Sequence, residues 1–136
     1  MAALPFHPSP GDILICDYGT GFRAPEMIKR RLCVVVSPKL KRRDDLASVV
    51  PLSETAPDPE EDWHHKIELI SNSWGNGPRW AKCDMIATVA YDRLARPHYR
   101  HSVTNARLYE RLALSGEDLT QVKIKVALAL GLAIEL

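Results

Sequence analysis

At 136 residues the chain is one domain's worth, long enough to bury about two-thirds of its unfolded surface. Hydrophobic residues at 46% and charged residues at 26% make an ordinary globular balance that argues against disorder. No stretch approaches the roughly 20 apolar residues of a membrane span, and a net charge of +1 excludes a globally basic nucleic-acid binder but not a local basic patch.

The first ten residues carry Pro5, Pro8 and Pro10, which suit neither helix nor strand, so 1–10 reads as an arm and 11–136 as the domain. The arm lacks the basic start and apolar run of a secretory signal. Gly11-Asp12 opens a first strand, Ile13 to Tyr18. A loop with Gly19, Gly21 and Pro25 leads to a second, Arg31 to Ser37, whose continuous β-branched run predicts burial on both faces. Ala47 to Ser53 is a third strand, where Pro51 implies an edge or a bulge. After a proline-rich acidic loop, His65 to Ile70 alternates polar and apolar like a half-exposed strand. Trp80 to Val89 reads as one or two short strands, and residues 95–113 give no clear pattern.

Five or six short strands without interleaved helices argue an antiparallel barrel or sandwich. The end changes character. Ser115-Gly116-Glu117-Asp118 fits a helix start, with the serine hydroxyl meeting the N–H of the third helical residue. Leu119, Val122, Val126 and Leu130 recur at helical spacing, Ile124 and Leu128 fall off that stripe, and Gly131 is a plausible stop. One helix over about 115–131 is therefore expected against the sheet.

Cys16, Cys33 and Cys83 are far apart, odd in number and set in apolar runs, so buried reduced thiols in a cytosolic protein are expected. His64 and His65 are neighbours on a strand and point to opposite faces, which disfavours a shared metal ion. No glycine-rich phosphate loop, HExxH or Gly-x-Ser-x-Gly elbow is present, and no cofactor is expected.

Charge is clustered. Residues 29–43 hold seven cations and residues 54–62 hold five anions. The basic run could hold a phosphate backbone, or the two runs could be solvated loops of opposite sign. Polar residues also gather at strand ends. Arg31 begins the apolar second strand, where a guanidinium could give two hydrogen bonds to a phosphate. Ser53, Glu54 and Thr55 end the third strand. Lys82 and Asp84 flank Cys83, and in an extended chain they would share one face. Such a group could cleave RNA without a metal, because the 2′-hydroxyl nucleophile lies in the substrate. A surface ion pair and a strand-end arginine would be the simpler reading.

Several segments resemble the MazF/PemK toxins in the family's order: GDIL at 11–14, PEMIKRRLCVVVSP at 25–38, VPLSET at 50–55, KCDMIATVAYDRL at 82–94 and LSGEDLTQVKIKVALALGL at 114–132. The resemblance implies an SH3-like antiparallel barrel with a C-terminal helix, and a cytoplasmic homodimer that cleaves single-stranded RNA and is blocked by an antitoxin protein. It places the family's key arginine on Arg31, its strand-end hydroxyl on Ser53 and an acid/base pair on Lys82 and Asp84. It gives RNA contacts to Arg23, Lys29, Arg30 and Thr55. Leu32 and Ser53 depart from the family's usual proline and more common threonine, and Lys82 stands where some members have arginine. A different function on the same fold is a non-enzymatic binder, such as a gyrase poison of the CcdB type or a degenerate RNA or peptide binder. The group of Arg31, Ser53, Lys82 and Asp84 favours the nuclease.

Overall fold

The structure is a computed structural model that describes Leu4 and residues 7–132. The rest of the expected arm, and residues 133–136 of the expected domain, lie outside the described residues.

The expected strands form in the expected order: β1 (Asp12–Asp17), β2 (Arg30–Val35), β3 (Leu46–Ser53), β4 (His64–Leu69), β5 (Gly77–Lys82) and β6 (Ala87–Ala90). The segment without a clear pattern holds four more, β7 (Leu94–Ala95), β8 (His98–Arg100), β9 (Arg107–Tyr109) and β10 (Leu112–Ala113). Each is two or three residues long, too short to show a period of two. The main sheet runs β10-β1-β2-β3-β5-β4, with β6 beside β3 and β7 beside β1, and β8 pairs with β9 as a separate hairpin. Every pairing is antiparallel. The result is the expected mainly-β architecture with one C-terminal helix. As a barrel it is open, because no hydrogen-bonded ladder joins β10 to β4 among the described residues.

β2 is buried on both faces, as its apolar run predicts. Leu32 and Val34 enter one core with Ile13, Ile15, Val50, Leu52, Ile67, Ala81 and Val122. Cys33 and Val35 enter a second core with Leu14, Cys16, Tyr18, Val49, Tyr91 and Leu94. Burying each such aliphatic side chain contributes roughly 1.5–3 kcal/mol. The arm docks on the second core's side, where His7 Nδ1 bonds the Tyr91 hydroxyl at 2.6 Å and His7 Nε2 bonds the Ser37 carbonyl at 2.9 Å.

Pro51 corrects the expectation of an edge. β3 is central, with β2 on one side and both β5 and β6 on the other. On that second side the ladder changes partner: Leu46 to Val49 pair with β6, and Leu52 and Ser53 pair with β5. Pro51 sits in the handover, where a residue without an N–H removes no ladder bond on that side.

The helix α1 (Gly116–Ala129) begins as expected, with Ser115 Oγ accepting from Asp118 N–H at 3.1 Å. Such a cap is worth about 1 kcal/mol. Val122 is fully buried in the first core, while Leu130 is exposed, so the expected apolar stripe ends a turn early. Gly131 has φ of 81°, the left-handed geometry that stops a helix. Two polar contacts tie α1 to β4: Lys125 Nζ donates to the His64 carbonyl at 2.8 Å, and His65 Nε2 meets Asp118 Oδ1 at 2.9 Å. The two adjacent histidines do point apart, since His64 Nδ1 instead accepts from Glu61 N–H at 2.9 Å.

Glu110, after β9, holds the loop that joins β4 to β5. Its Oε1 accepts from the Ser71 hydroxyl at 2.9 Å, the Ser73 N–H at 2.7 Å and the Ser73 hydroxyl, and its Oε2 accepts from the Asn72 N–H at 2.8 Å. Burial alone would raise this carboxyl's pKa, but the hydrogen bonds outweigh it and hold the pKa below the ordinary glutamate value.

Candidate functional site

The topology divides the basic run of 29–43. Lys29, Arg30 and Arg31 stand at the start of β2, whereas Lys39, Lys41, Arg42 and Arg43 follow its end, with Lys39 paired to Asp44 at 3.4 Å. A six-residue strand is roughly 17 Å long, so the seven cations do not make one patch. The acidic run follows the end of β3. In an antiparallel pair that end lies beside the start of β2, so Glu54 and its neighbours stand near Arg31 rather than away from it.

Arg31 and Ser53 come together through β2 and β3. The last paired positions are Cys33 and Pro51, and two residues further in the same register stand Arg31 and Ser53, on the same face. Ser53 is 3% exposed, and its hydroxyl both donates to the Thr55 carbonyl at 3.3 Å and accepts the Thr55 N–H at 3.2 Å. Arg31 is half-buried. Its Nε is fully buried and makes no hydrogen bond among the described residues.

β5 and β4 continue this face. Ser53 pairs with Trp80, Trp80 with Lys66, and Lys82 with His64. Ala81, Leu52 and Ile67 point into the first core, so Ser53, Trp80, Lys82 and Lys66 point the other way. Lys66 and Trp80 were not among the expected site residues. The parity of Lys66 is legible in the alternation of β4, whereas that of Trp80 is not, since β5 buries Arg79 instead, and their place beside Ser53 depends on a pairing between distant segments.

The expected Lys82/Asp84 pair is corrected. The chain leaves the extended form after Lys82 and makes a 3₁₀ turn over Cys83–Met85, because it must cross from β5 to β6 along β3. Asp84 is exposed on that turn and forms no ion pair with Lys82 among the described residues. Lys82 thus shares the face of Ser53, while Asp84 stands on an adjoining turn. Arg23, Lys29, Arg30 and Thr55 are all exposed. Arg23 and Lys29 flank the loop before β2, in which the Arg23 N–H donates to Glu26 Oε2 at 3.3 Å.

Arg79 lies on the opposite face and was also missed. It is 8% exposed, donates to the Trp74 carbonyl at 2.7 Å and the Pro78 carbonyl at 2.9 Å, and stands 3.6 Å from Glu54. Glu54 is mostly solvated, so this ion pair adds little and the carbonyl bonds hold the arginine. The cysteines are buried and free, and burial pushes the Cys83 thiol up to about 12, far from a reactive thiolate.

A family model described as PemK-like, MazF-like toxin of type II toxin-antitoxin system matches residues 9–130. YifN of Escherichia coli K12 is 30% identical over 152 residues, covering 96% of this chain and 98% of its own length. An uncharacterized protein of Haemophilus influenzae is 33% identical over 108 residues, covering 69% of this chain and 73% of its own. Among solved structures, MazF from Deinococcus radiodurans superposes with a TM-score of 0.63 at 16% identity, covering 93% of this chain and 99% of that one. A mycobacterial endoribonuclease in complex with its cognate antitoxin superposes with a TM-score of 0.61 at 18% identity, covering 95% and 100%. At those identities the two structures establish a shared fold.

Proposed function

Since the chain belongs to the PemK-like, MazF-like toxins of type II toxin-antitoxin systems, we propose that it is a metal-independent endoribonuclease acting on single-stranded RNA. The observation that carries this reading is the alignment of Arg31, Ser53 and Lys82 on one face of β2, β3 and β5, the face opposite the first core. A base removes the proton of the ribose 2′-hydroxyl, and the 2′ oxygen forms a bond to phosphorus. The bond from phosphorus to the 5′ oxygen breaks, and that oxygen takes up a proton from an acid. The products are a 2′,3′-cyclic phosphate and a 5′-hydroxyl. Arg31 stabilises the charge on the phosphorane, and Ser53 orients the phosphate. Lys82 on that face and Asp84 on the adjoining turn, acting separately and not as a pair, are the candidates for proton transfer. Exposed Arg23, Lys29, Arg30 and Thr55 contact the RNA backbone.

The protein acts in the cytosol as a homodimer, and a cognate antitoxin protein blocks it. The motive is the type II family description, together with solved relatives bound to antitoxins. Purified protein incubated with single-stranded RNA in EDTA is expected to give fragments with cyclic-phosphate and 5′-hydroxyl ends. A requirement for a divalent ion, or 5′-phosphate ends, would reject the mechanism. Light scattering at micromolar concentration is expected to give a dimer mass, and a monomer mass would reject the homodimer.

A binding-only relative is the second reading. It is favoured by one observation: the Ser53 hydroxyl is buried and already bonded to Thr55 at both donor and acceptor. RNA retained but not cut by the parent protein would select it.

A further inference from the structure

The three tryptophans are not equivalent. Trp63 and Trp74 pack against the first core. Trp80 packs against neither core, although it stands in the middle strand of a three-strand segment, between Ser53 of β3 and Lys66 of β4. A large aromatic side chain on the outward face gains less from burial than one in a core, so its place there asks for another use.

Its surroundings indicate what that use is. Lys66 Nζ lies 6.0 Å from the centroid of the Trp80 ring and 3.8 Å from Glu68 Oε1. Lys82 lies two residues along β5 on the same face, and Ser53 is directly across the ladder. The face therefore presents an indole with the Lys66 ammonium over its ring and Lys82 two residues along the strand, next to the pair Arg31 and Ser53. Proteins hold single-stranded nucleic acid by this combination of a flat ring for the base and cations for the phosphates on either side. An apolar protein partner would be poorly served here, because two lysines border the ring and would lose hydration on being covered.

We propose that Trp80, flanked by Lys66 and Lys82, is a base-stacking platform for single-stranded RNA beside Arg31 and Ser53. This rests on the RNA reading of the site and adds a recognition residue to it. The stacked base belongs to a nucleotide next to the scissile phosphate, so the platform contributes to choice of cutting position as well as to affinity.

The test uses the full chain and a fluorescein-labelled 2′-O-methyl RNA 12-mer of mixed sequence, which binds but lacks the nucleophile. Anisotropy titrations compare the parent with Trp80→Leu, Trp80→Tyr and Lys66→Gln. Trp80→Leu is expected to weaken binding on the order of tenfold, as loss of one base–aromatic stack does. Trp80→Tyr should remain within about threefold of the parent, because stacking needs a ring and not an indole. Lys66→Gln should weaken binding mildly and lower the steepness of the salt dependence by about 0.7 on a log-log plot, the value for one phosphate contact on a single strand. An abasic walk along the 12-mer should then find one position whose base matters in the parent and not in Trp80→Leu.

Parent-like affinity in a folded Trp80→Leu protein would overturn the platform. So would equal loss in the leucine and tyrosine variants, which would indicate packing, or a change in dimer mass in either, which would assign the ring to a subunit contact. The outcome is separable from the nuclease reading. A parent that binds the 12-mer through Trp80 but never cuts RNA keeps the platform and loses the enzyme. A parent that cuts RNA with Trp80→Leu unchanged does the reverse, and a parent that does neither loses both.

Discussion

Arg31→Ala is expected to yield a folded protein that cuts RNA about 100- to 1,000-fold more slowly at saturating substrate, the usual cost of losing one donor to transition-state charge. The structure explains why folding should survive. The Arg31 Nε is already buried without a hydrogen-bond partner among the described residues, so truncation removes an unsatisfied group and breaks no bond at that atom. The buried Nε also bears on the expected loss of rate. A guanidinium whose Nε is buried, in register with Ser53 and without an ion pair of its own among the described residues, acts on a phosphate with reduced screening. Exposed Lys29 and Arg30 are the comparison. Their substitution should weaken RNA binding in a salt-dependent way and spare the single-turnover rate. If folded Arg31→Ala cuts at the parent's rate, Arg31 leaves the site and the binding-only reading gains.

Glu110→Ala is expected to lower stability by about 2 kcal/mol at neutral pH, since charge-assisted hydrogen bonds are worth more than neutral ones. For a chain of this size that is roughly an 8 °C drop in Tm. The carboxylate gathers Ser71, Asn72 and Ser73, and the next residue, Trp74, supplies the carbonyl that holds Arg79. One side chain thus anchors the loop joining β4 and β5, the two strands that carry Lys66 and Trp80. The pH dependence has a definite sign. Glu110 titrates lower in the folded chain than in the unfolded one, so its contribution is complete above the unfolded pKa of about 4.3. It is lost as pH falls through the lower folded value. Melting curves of parent and variant should therefore lie far apart at pH 7 and converge in acid. A gap that stays constant down to pH 3 would show that the charge on Glu110 is not what holds the loop.

What the sequence determined by itself lies within a few residues of chain. The buried run of β2, the alternation of β4 and the serine cap of α1 are visible because period, branching and capping chemistry act locally. The family motifs are legible for the same reason, since each is a short run around a strand end. Parity was legible along β4, whose alternation states that Lys66 leaves the core; in β5 it was not, because buried Arg79 and half-buried Trp80 reverse the usual order.

The neighbours of these residues come from strand pairing between distant segments. β3 changes partner at Pro51, and that exchange puts Ser53 beside Trp80 and turns a proline that reads as an edge signal into a central residue. It also sends the chain around a turn after Lys82, separating Asp84 from the strand face it was expected to share. The single basic run splits because a whole strand intervenes, and the acidic run returns to the arginine end because β2 and β3 are antiparallel. In β7 to β10 pairing stands in for periodicity, as strands of two or three residues carry no pattern of their own. The physical reason is common to all of these. A strand's own residues set which face each side chain takes, but its hydrogen-bond partner comes from a distant segment, and the site is made of those partnerships.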